Sequence, residues 1–217
     1  MYLKKKEILQ KHFSNKLSGE QIDKLLLLED FYKEWNQKIN LVSRKDIEFF
    51  FERHLLHSLS IASLFQFFKG QKVLDLGTGG GFPGIPLSIC FPETEFMLVD
   101  SIQKKISVVE AIAKDLNLQN VSWKHSRVES LKPRNSFHTI MSRGVAPMEK
   151  QVQWTLLQLT RKKPVSGPYG LIMLKGGNLE EEIEDYKKST RIYSIKNIFP
   201  GDWFAEKYVL HWMPAKR

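Results

Sequence analysis

The stretch VLDLGTGGGFPGIPLSI occupies residues 73–89. A short apolar run, Val73–Leu76, leads into Gly77, Gly79, Gly80 and Gly81; an aromatic residue, Pro83, Gly84 and a second apolar run follow. The pattern reads as a strand, a tight glycine turn and a helix. In a doubly wound α/β sheet, that first turn lies at the carboxyl end of the strand, where ligands bind. Glycine permits sharp turning and close approach to a ligand because no Cβ intervenes.

The sequence C-terminal to this stretch keeps the same alternation. Glu95–Val99, Val121–Lys124, His138–Ser142 and Gly170–Lys175 read as strands. Gln103–Asn117, Pro147–Thr160 and the acidic run Leu179–Lys188 read as helices. Strands alternating with helices predict a mostly parallel sheet covered on both faces. Ile192–Ile198 and Tyr208–Met213 are two further strands, expected to add an antiparallel hairpin at one edge. N-terminal to it, residues 1–70 read as helical. Ser18 with Gln21 three residues on is a capping pattern. Ile22, Leu25, Leu26, Leu28, Phe31, Tyr32 and Trp35 then recur at helical spacing. A second helix is predicted from Asp46 to Phe68, closing before Gly70. The expected organisation is a helical extension, 1–70, packed on a domain spanning 71–217. Arg161–Pro168 (RKKPVSGP) reads as an exposed loop, open to a solvated role or to contact with an RNA backbone.

Composition narrows the classes. The chain has 217 residues, 42% of them hydrophobic and 26% charged, as in soluble globular domains. Its single cysteine, Cys90, excludes a disulfide framework and reads as a core thiol, in keeping with a cytoplasmic location. The N-terminal lysines are followed by no apolar run of signal-peptide length, and no segment reaches membrane-spanning length. The six histidines lack ligand spacing, so no metal site is expected. A net charge of +9 suits a polyanionic partner such as nucleic acid.

Three positions specify the ligand. The glycines follow Asp75-x-Gly77-x-Gly79-x-Gly81 rather than the dinucleotide spacing. Pro83 and Pro86 remove two backbone donors at the helix start, which makes a poor phosphate cradle and suits a nucleoside with an amino-acid tail. Asp100 ends the second strand, 19 residues past Gly81, where a carboxylate accepts from ribose hydroxyls or caps the next helix. Val128 and Glu129 follow the third strand, beside the expected adenine; Glu129 either accepts from its amino group or caps a short helix. Together these positions point to S-adenosylmethionine, with its methionine end over Gly77–Gly81.

At these residues the chain resembles the bacterial small-subunit (16S) ribosomal RNA guanine-N7 methyltransferases, the glucose-inhibited division protein B family. The matching segments are EWNQKINLVSRKD (34–46), RHLLHS (53–58), LDLGTGGGFPGIPLSI (74–89), LVDSIQKK (98–105), HSRVES (125–130), SRGVA (142–146) and LKGG (174–177). The resemblance implies a Rossmann-like class I S-adenosylmethionine-dependent methyltransferase fold, α/β, with the N-terminal helical extension. It implies cofactor contacts at Gly77, Phe82, Val128, Glu129 and Arg143, and a substrate in 16S ribosomal RNA or the small ribosomal subunit, bound by a monomer. The chain departs from the family at His57, usually aspartate, at Gly144-Val145, usually Ala-Phe, and at Lys207, usually arginine.

Guanine N7 carries a lone pair and no proton, so transfer of a methyl group to it needs no general base. Alignment and tolerance of the arriving charge suffice. Arg143, after the fourth strand, is the expected catalytic residue at the crevice rim, acting on the methionine carboxylate, the guanine or an RNA phosphate. Arg53, His54 and Asn40 are read as an N-terminal wall or a substrate contact. Of the five tryptophans, Trp203 in PGDW is the one singled out for stacking on a base. Alternatives are a methyltransferase of small molecules or proteins, and a nucleic-acid-binding protein that keeps the fold without turnover. A nicotinamide dehydrogenase is disfavoured because little chain remains for a substrate domain.

Overall fold

The computed structural model describes residues 2–39 and 41–215, apart from the side chain of Arg44. Asn40, assigned above to the N-terminal wall, lies outside the described residues. The chain opens with α1 (Tyr2–Phe13) and α2 (Gly19–Lys38). The capping box forms as the sequence predicts: the Ser18 hydroxyl accepts from the Gln21 amide and the Gln21 side chain accepts from the Ser18 amide. Of the apolar stripe on α2, Ile22, Leu25, Leu26, Leu28 and Tyr32 are buried, while Phe31 and Trp35 are half-buried at its border.

The second predicted helix is not continuous. A short α3 (Arg44–Ile47) is followed by a π-helical turn, Phe51–Leu56, which runs into α4 (His57–Leu64). The helix stops at Leu64 rather than Phe68, because Phe65 turns extended. Phe67 then inserts among Phe91 and Phe96, at ring separations of 4.9 and 6.1 Å. Helical periodicity did not separate this aromatic plug from the helix before it.

The core of the fold is one seven-stranded sheet: β1 (Lys72–Leu76), β2 (Glu95–Asp100), β3 (Val121–His125), β4 (Thr139–Arg143), β5 (Gly170–Gly176), β6 (Thr190–Ser194) and β7 (Lys207–Trp212). The spatial order is β3-β2-β1-β4-β5-β7-β6; β7 runs antiparallel between β5 and β6, and the remaining neighbours pair in parallel. The expected antiparallel edge is present, but the last strand enters the sheet inside the one before it. The remaining helices are α5 (Gly84–Cys90), α6 (Gln103–Asp115), α7 (Met148–Gln158) and α8 (Glu180–Ile183). The predicted acidic helix keeps one α-turn and continues as a 3-10 segment, Glu184–Ser189.

Alternate residues feed two separate cores, as the two-residue period of a strand requires. Val73, Phe96, Leu98, Met141, Ile172, Leu174 and Val209 join the side holding α2, α4, α5 and α6. Leu74, Leu76, Val99, Ile140, Leu171, Met173 and Leu210 join the side holding α7 and Ile183 of α8. The N-terminal helices share the first of these cores with the sheet: Leu9, Phe13, Leu25 and Leu28 belong to the same cluster as Ile85 and Leu87. Polar ties reinforce the contact, with the Gln21 side-chain Nε2 donating to the Ile89 carbonyl at 2.7 Å.

Candidate functional site

β1 has β2 on one side and β4 on the other, so the connections leaving β1 and β4 part in opposite directions. A crevice opens at that point, beyond the carboxyl ends of the strands. Two adjoining cavities occupy it. One, of about 340 Å³, is lined by Gly77, Thr78, Gly79, Phe82, Asp100 and Arg143, among others. The second, of about 150 Å³, is lined by Asp100, Val128, Glu129, Lys150 and Trp154, among others, and shares Gly77, Asp100, Ser101 and Val145 with the first.

The glycine loop is shaped from below by Asp75. Its Oδ2 accepts from the Thr78 hydroxyl at 2.6 Å and from the Gly84 amide at 2.8 Å, tying both ends of the turn together. Asp75 is fully buried, and its Oδ1 has no hydrogen-bond partner. Burial pushes its carboxyl up from 3.8 to about 6. Gly77, Gly79 and Gly81 all take positive φ. At Gly77 a side chain is also excluded by space: a Cβ there would lie 2.7 Å from the Val145 side chain. Val145, where the resemblance leads one to expect phenylalanine, therefore packs directly on the loop.

Asp100 joins strand end and loop. One carboxylate oxygen accepts from the Gly79 amide and the other from the Ile102 amide, each at 2.9 Å. Asp100 does not cap the next helix: the N-cap of α6 is Ile102, with no side-chain cap, and Asp100 instead ties the turn before it and stands in the crevice wall. Each oxygen retains a lone pair for a further donor. Glu129 lies in a 3-10 turn, Val128–Ser130, and accepts from the Trp154 indole at 3.0 Å. The sequence singled out Trp203 among the tryptophans; Trp154 is the one that lines this crevice. Its signal was a position on the predicted helix after β4, a helix the fold brings over the end of β3.

Arg143 does not sit free at the rim. Its guanidinium lies over the Phe82 ring, 4.8 Å from the centroid, and one terminal nitrogen is buried without a partner. Burial pushes its pKa down to about 10, leaving it charged at neutral pH. Phe82 is in turn boxed by Tyr32 at 4.5 Å, His54 at 5.4 Å and Phe50 at 5.7 Å. Tyr32, fully buried, donates its hydroxyl to the Gly80 carbonyl, so a residue of α2 supports the cofactor loop directly. Reading the sequence placed Tyr32 in the apolar stripe and missed this bond; its one hint was a polar tip on an otherwise apolar face.

Of the residues read as an N-terminal wall or a substrate contact, His54 packs into the core and Arg53 stays partly exposed. His54 stacks on Phe50 at 5.8 Å, with neither ring nitrogen partnered, and burial lowers its pKa to about 3. Arg53 pairs with Asp46 at 2.6 Å. Gly144 has positive φ with open space around a would-be Cβ, so backbone conformation, not crowding, favours glycine there. The loop holding Arg161, Lys162 and Lys163 is exposed. Cys90 is buried, and burial pushes its thiol pKa up, as befits a core residue. Among the described residues, no group of three or more His, Cys, Asp or Glu side chains is arranged to hold a metal, and no helix is long and apolar enough to cross a membrane.

The fold is similar to that of a SAM dependent methyltransferase from Aquifex aeolicus, with a TM-score of 0.56 at 14% identity over 86% of this chain and 98% of that one. A precorrin-6y C5,15-methyltransferase from Geobacter metallireducens GS-15 gives 0.55 at 11% identity, over 82% and 92%. These likenesses establish the Rossmann-like class I architecture alone. Sequence relatives are much nearer. Proteins named ribosomal RNA small subunit methyltransferase G match from Bacteroides thetaiotaomicron (46% identity over 94% of this chain and 98% of the relative) and Christiangramia forsetii (45%, over 97% of each). The family model described as rRNA small subunit methyltransferase G covers residues 21–200. With that match running from α2 through the sheet, and identities near one half across almost the whole chain, the protein belongs to the GidB family.

Proposed function

We propose that this chain is an S-adenosylmethionine-dependent methyltransferase that methylates N7 of a guanine in 16S ribosomal RNA. The observation that carries the reading is the continuous crevice from Val128 and Glu129, past Asp100, to Gly77–Gly80, Phe82 and Arg143, with Gly81 turned away against Ile85 and Tyr32, in a member of a family described as rRNA methyltransferases. The residues present fit the cofactor. The buried, unpartnered nitrogen of Arg143 calls for an acceptor, and the methionine carboxylate is one. Asp100 has lone pairs left for ribose hydroxyls, and Val128 with Glu129 flanks the space for adenine. Bound there, S-adenosylmethionine supplies an electrophilic sulfonium methyl group.

The chain's own contribution is positioning. Phe82, wedged between Tyr32, Phe50 and His54, fixes the Arg143 guanidinium; Asp75 and Tyr32 fix the loop opposite it. Because the acceptor nitrogen carries no proton, no residue is assigned as a base, and Arg143 serves as the aligning group. The helical extension 1–70 belongs to the site rather than beside it, and the methyltransferase domain proper runs from 71 to 217. The partner is 16S ribosomal RNA or the small subunit, met by a monomer in the cytoplasm. Purified protein incubated with small-subunit RNA and methyl donor should yield N7-methylguanosine at one position by mass mapping; methylation of protein or metabolite with none of RNA would reject the reading.

A further inference from the structure

Beyond the crevice wall, two segments far apart in sequence meet around the Trp203 indole. From the π-helical turn, Arg53 places its guanidinium 4.0 Å from the Phe49 ring centroid and 6.0 Å from that of Trp203. At the start of β7, Lys207 holds its ammonium 5.0 Å from the Trp203 centroid. His57 meets the indole edge-on at 5.2 Å. The positive charges here exceed the negative. Asp46 engages one Arg53 nitrogen and the Ser43 hydroxyl, while Arg53 Nε is buried without a partner. His57 Nε2 is likewise buried and unpartnered. Among the described residues, no carboxylate lies within ion-pair distance of Lys207; Glu52 reaches instead toward Gly201. The indole face eases the two positive charges without neutralising them.

The box adjoins the crevice. Arg53 is followed by His54, whose ring lies 5.4 Å from the Phe82 ring that carries the Arg143 guanidinium; burial first, then the charges of Arg143 and Lys207, hold His57 neutral. Two positive charges beside one indole, of which Asp46 meets only the Arg53 guanidinium, leave one charge over and match one singly charged group. In a protein of net charge +9 acting on RNA, that group is the sugar–phosphate backbone.

We propose that Arg53 and Lys207, held on the Trp203 indole, bind a backbone phosphate of the RNA next to the nucleotide presented to the crevice. The assignment rests on the RNA reading above and adds where the backbone is gripped. It also gives the lysine at 207 a sufficient role: an ammonium serves a phosphate as a point charge, without the planar fork of arginine.

Binding of in vitro transcribed 16S ribosomal RNA to the full chain, with S-adenosylhomocysteine present, should be followed across a potassium chloride series. Lys207→Gln is expected to weaken binding several-fold at low salt. It should flatten the log K against log salt slope by about 0.7–0.9, the loss of one phosphate contact. The weakening should be equal for an unrelated RNA of the same length. Lys207→Arg should restore the slope. Arg53→Gln should repeat the effect, with cofactor affinity and melting temperature checking its fold. A wild-type salt slope in Lys207→Gln, or weakening confined to the target RNA, overturns the phosphate site. Wild-type protein that neither binds nor methylates RNA overturns the function itself, so the two failures are distinct.

Discussion

Asp75→Asn should make the protein's stability depend on pH in a way that isolates one buried charge. Asp75 lies fully buried under the glycine loop with one oxygen bonded twice and the other unpartnered. Its pKa is raised from 3.8 to about 6, chiefly by burial. Between those two values the folded protein holds a proton that the unfolded chain has released. Stability therefore falls as pH rises through that window, the reverse of a salt-bridged aspartate. The interval corresponds to about 3 kcal/mol once pH exceeds the folded pKa, at about 1.4 kcal/mol per pH unit. Asparagine cannot ionise. Whatever constant its amide adds by packing, the stability of Asp75→Asn minus that of wild type should climb by about 2.4 kcal/mol from pH 4 to pH 7 and then level. Urea denaturation of both proteins at half-unit pH steps measures this difference directly. A flat difference, or one falling with pH, would show that the carboxylate ionises beneath the loop at no cost and that the burial argument fails.

Arg143→Ala should lose about 100-fold in single-turnover methylation at saturating cofactor and RNA, with little rescue by lysine, because misplacement by about 1 Å costs that much. Replacing Arg161, Lys162 and Lys163 together by alanine should mainly raise the RNA concentration required; the opposite assignment of effects would mean the site lies elsewhere. Asp100→Ala should weaken S-adenosylmethionine binding by about 1.5–3 kcal/mol in calorimetry, through lost charge-assisted bonds and a looser loop, and unchanged affinity would reduce Asp100 to a turn former. Tyr32→Phe keeps the ring stack on Phe82 but strands the Gly80 carbonyl; a loss of about 1–3 kcal/mol in unfolding free energy is expected, and none at all would show that the hydroxyl bond is immaterial.

Much of the architecture is legible in the chain because strands buried on both faces write themselves as short apolar runs. Val73–Leu76 and Gly170–Lys175 are within a residue of β1 and β5. The loop was legible for a different reason: positive φ at Gly77, Gly79 and Gly81 forces glycine into the sequence. What was not legible depends on partners distant along the chain. No local pattern says that β7 pairs with β5 as well as β6, since pairing is settled by what the sheet edge leaves open. The π-helical turn shares its periodicity, over six residues, with an ordinary helix. Tyr32 at Gly80, Trp154 at Glu129 and the meeting of Arg53 with Lys207 join residues 25 or more positions apart, and side-chain type alone does not encode such meetings.

The place of β7 has a consequence for synthesis. Residues 170–194 emerge first, yet β5 and β6 are not neighbours; the gap between them is filled only by residues 207–212. Until that last strand leaves the ribosome, β5 carries an open edge with Leu171 and Met173 on one side and Ile172 and Leu174 on the other, and β6 has no ladder to join. Such an edge readily recruits another chain. A nascent chain stalled short of residue 207 is thus the species most exposed to mispairing. The final strand also carries Lys207 to the Trp203 box, so closing the sheet and completing that box are one event in the life of the chain.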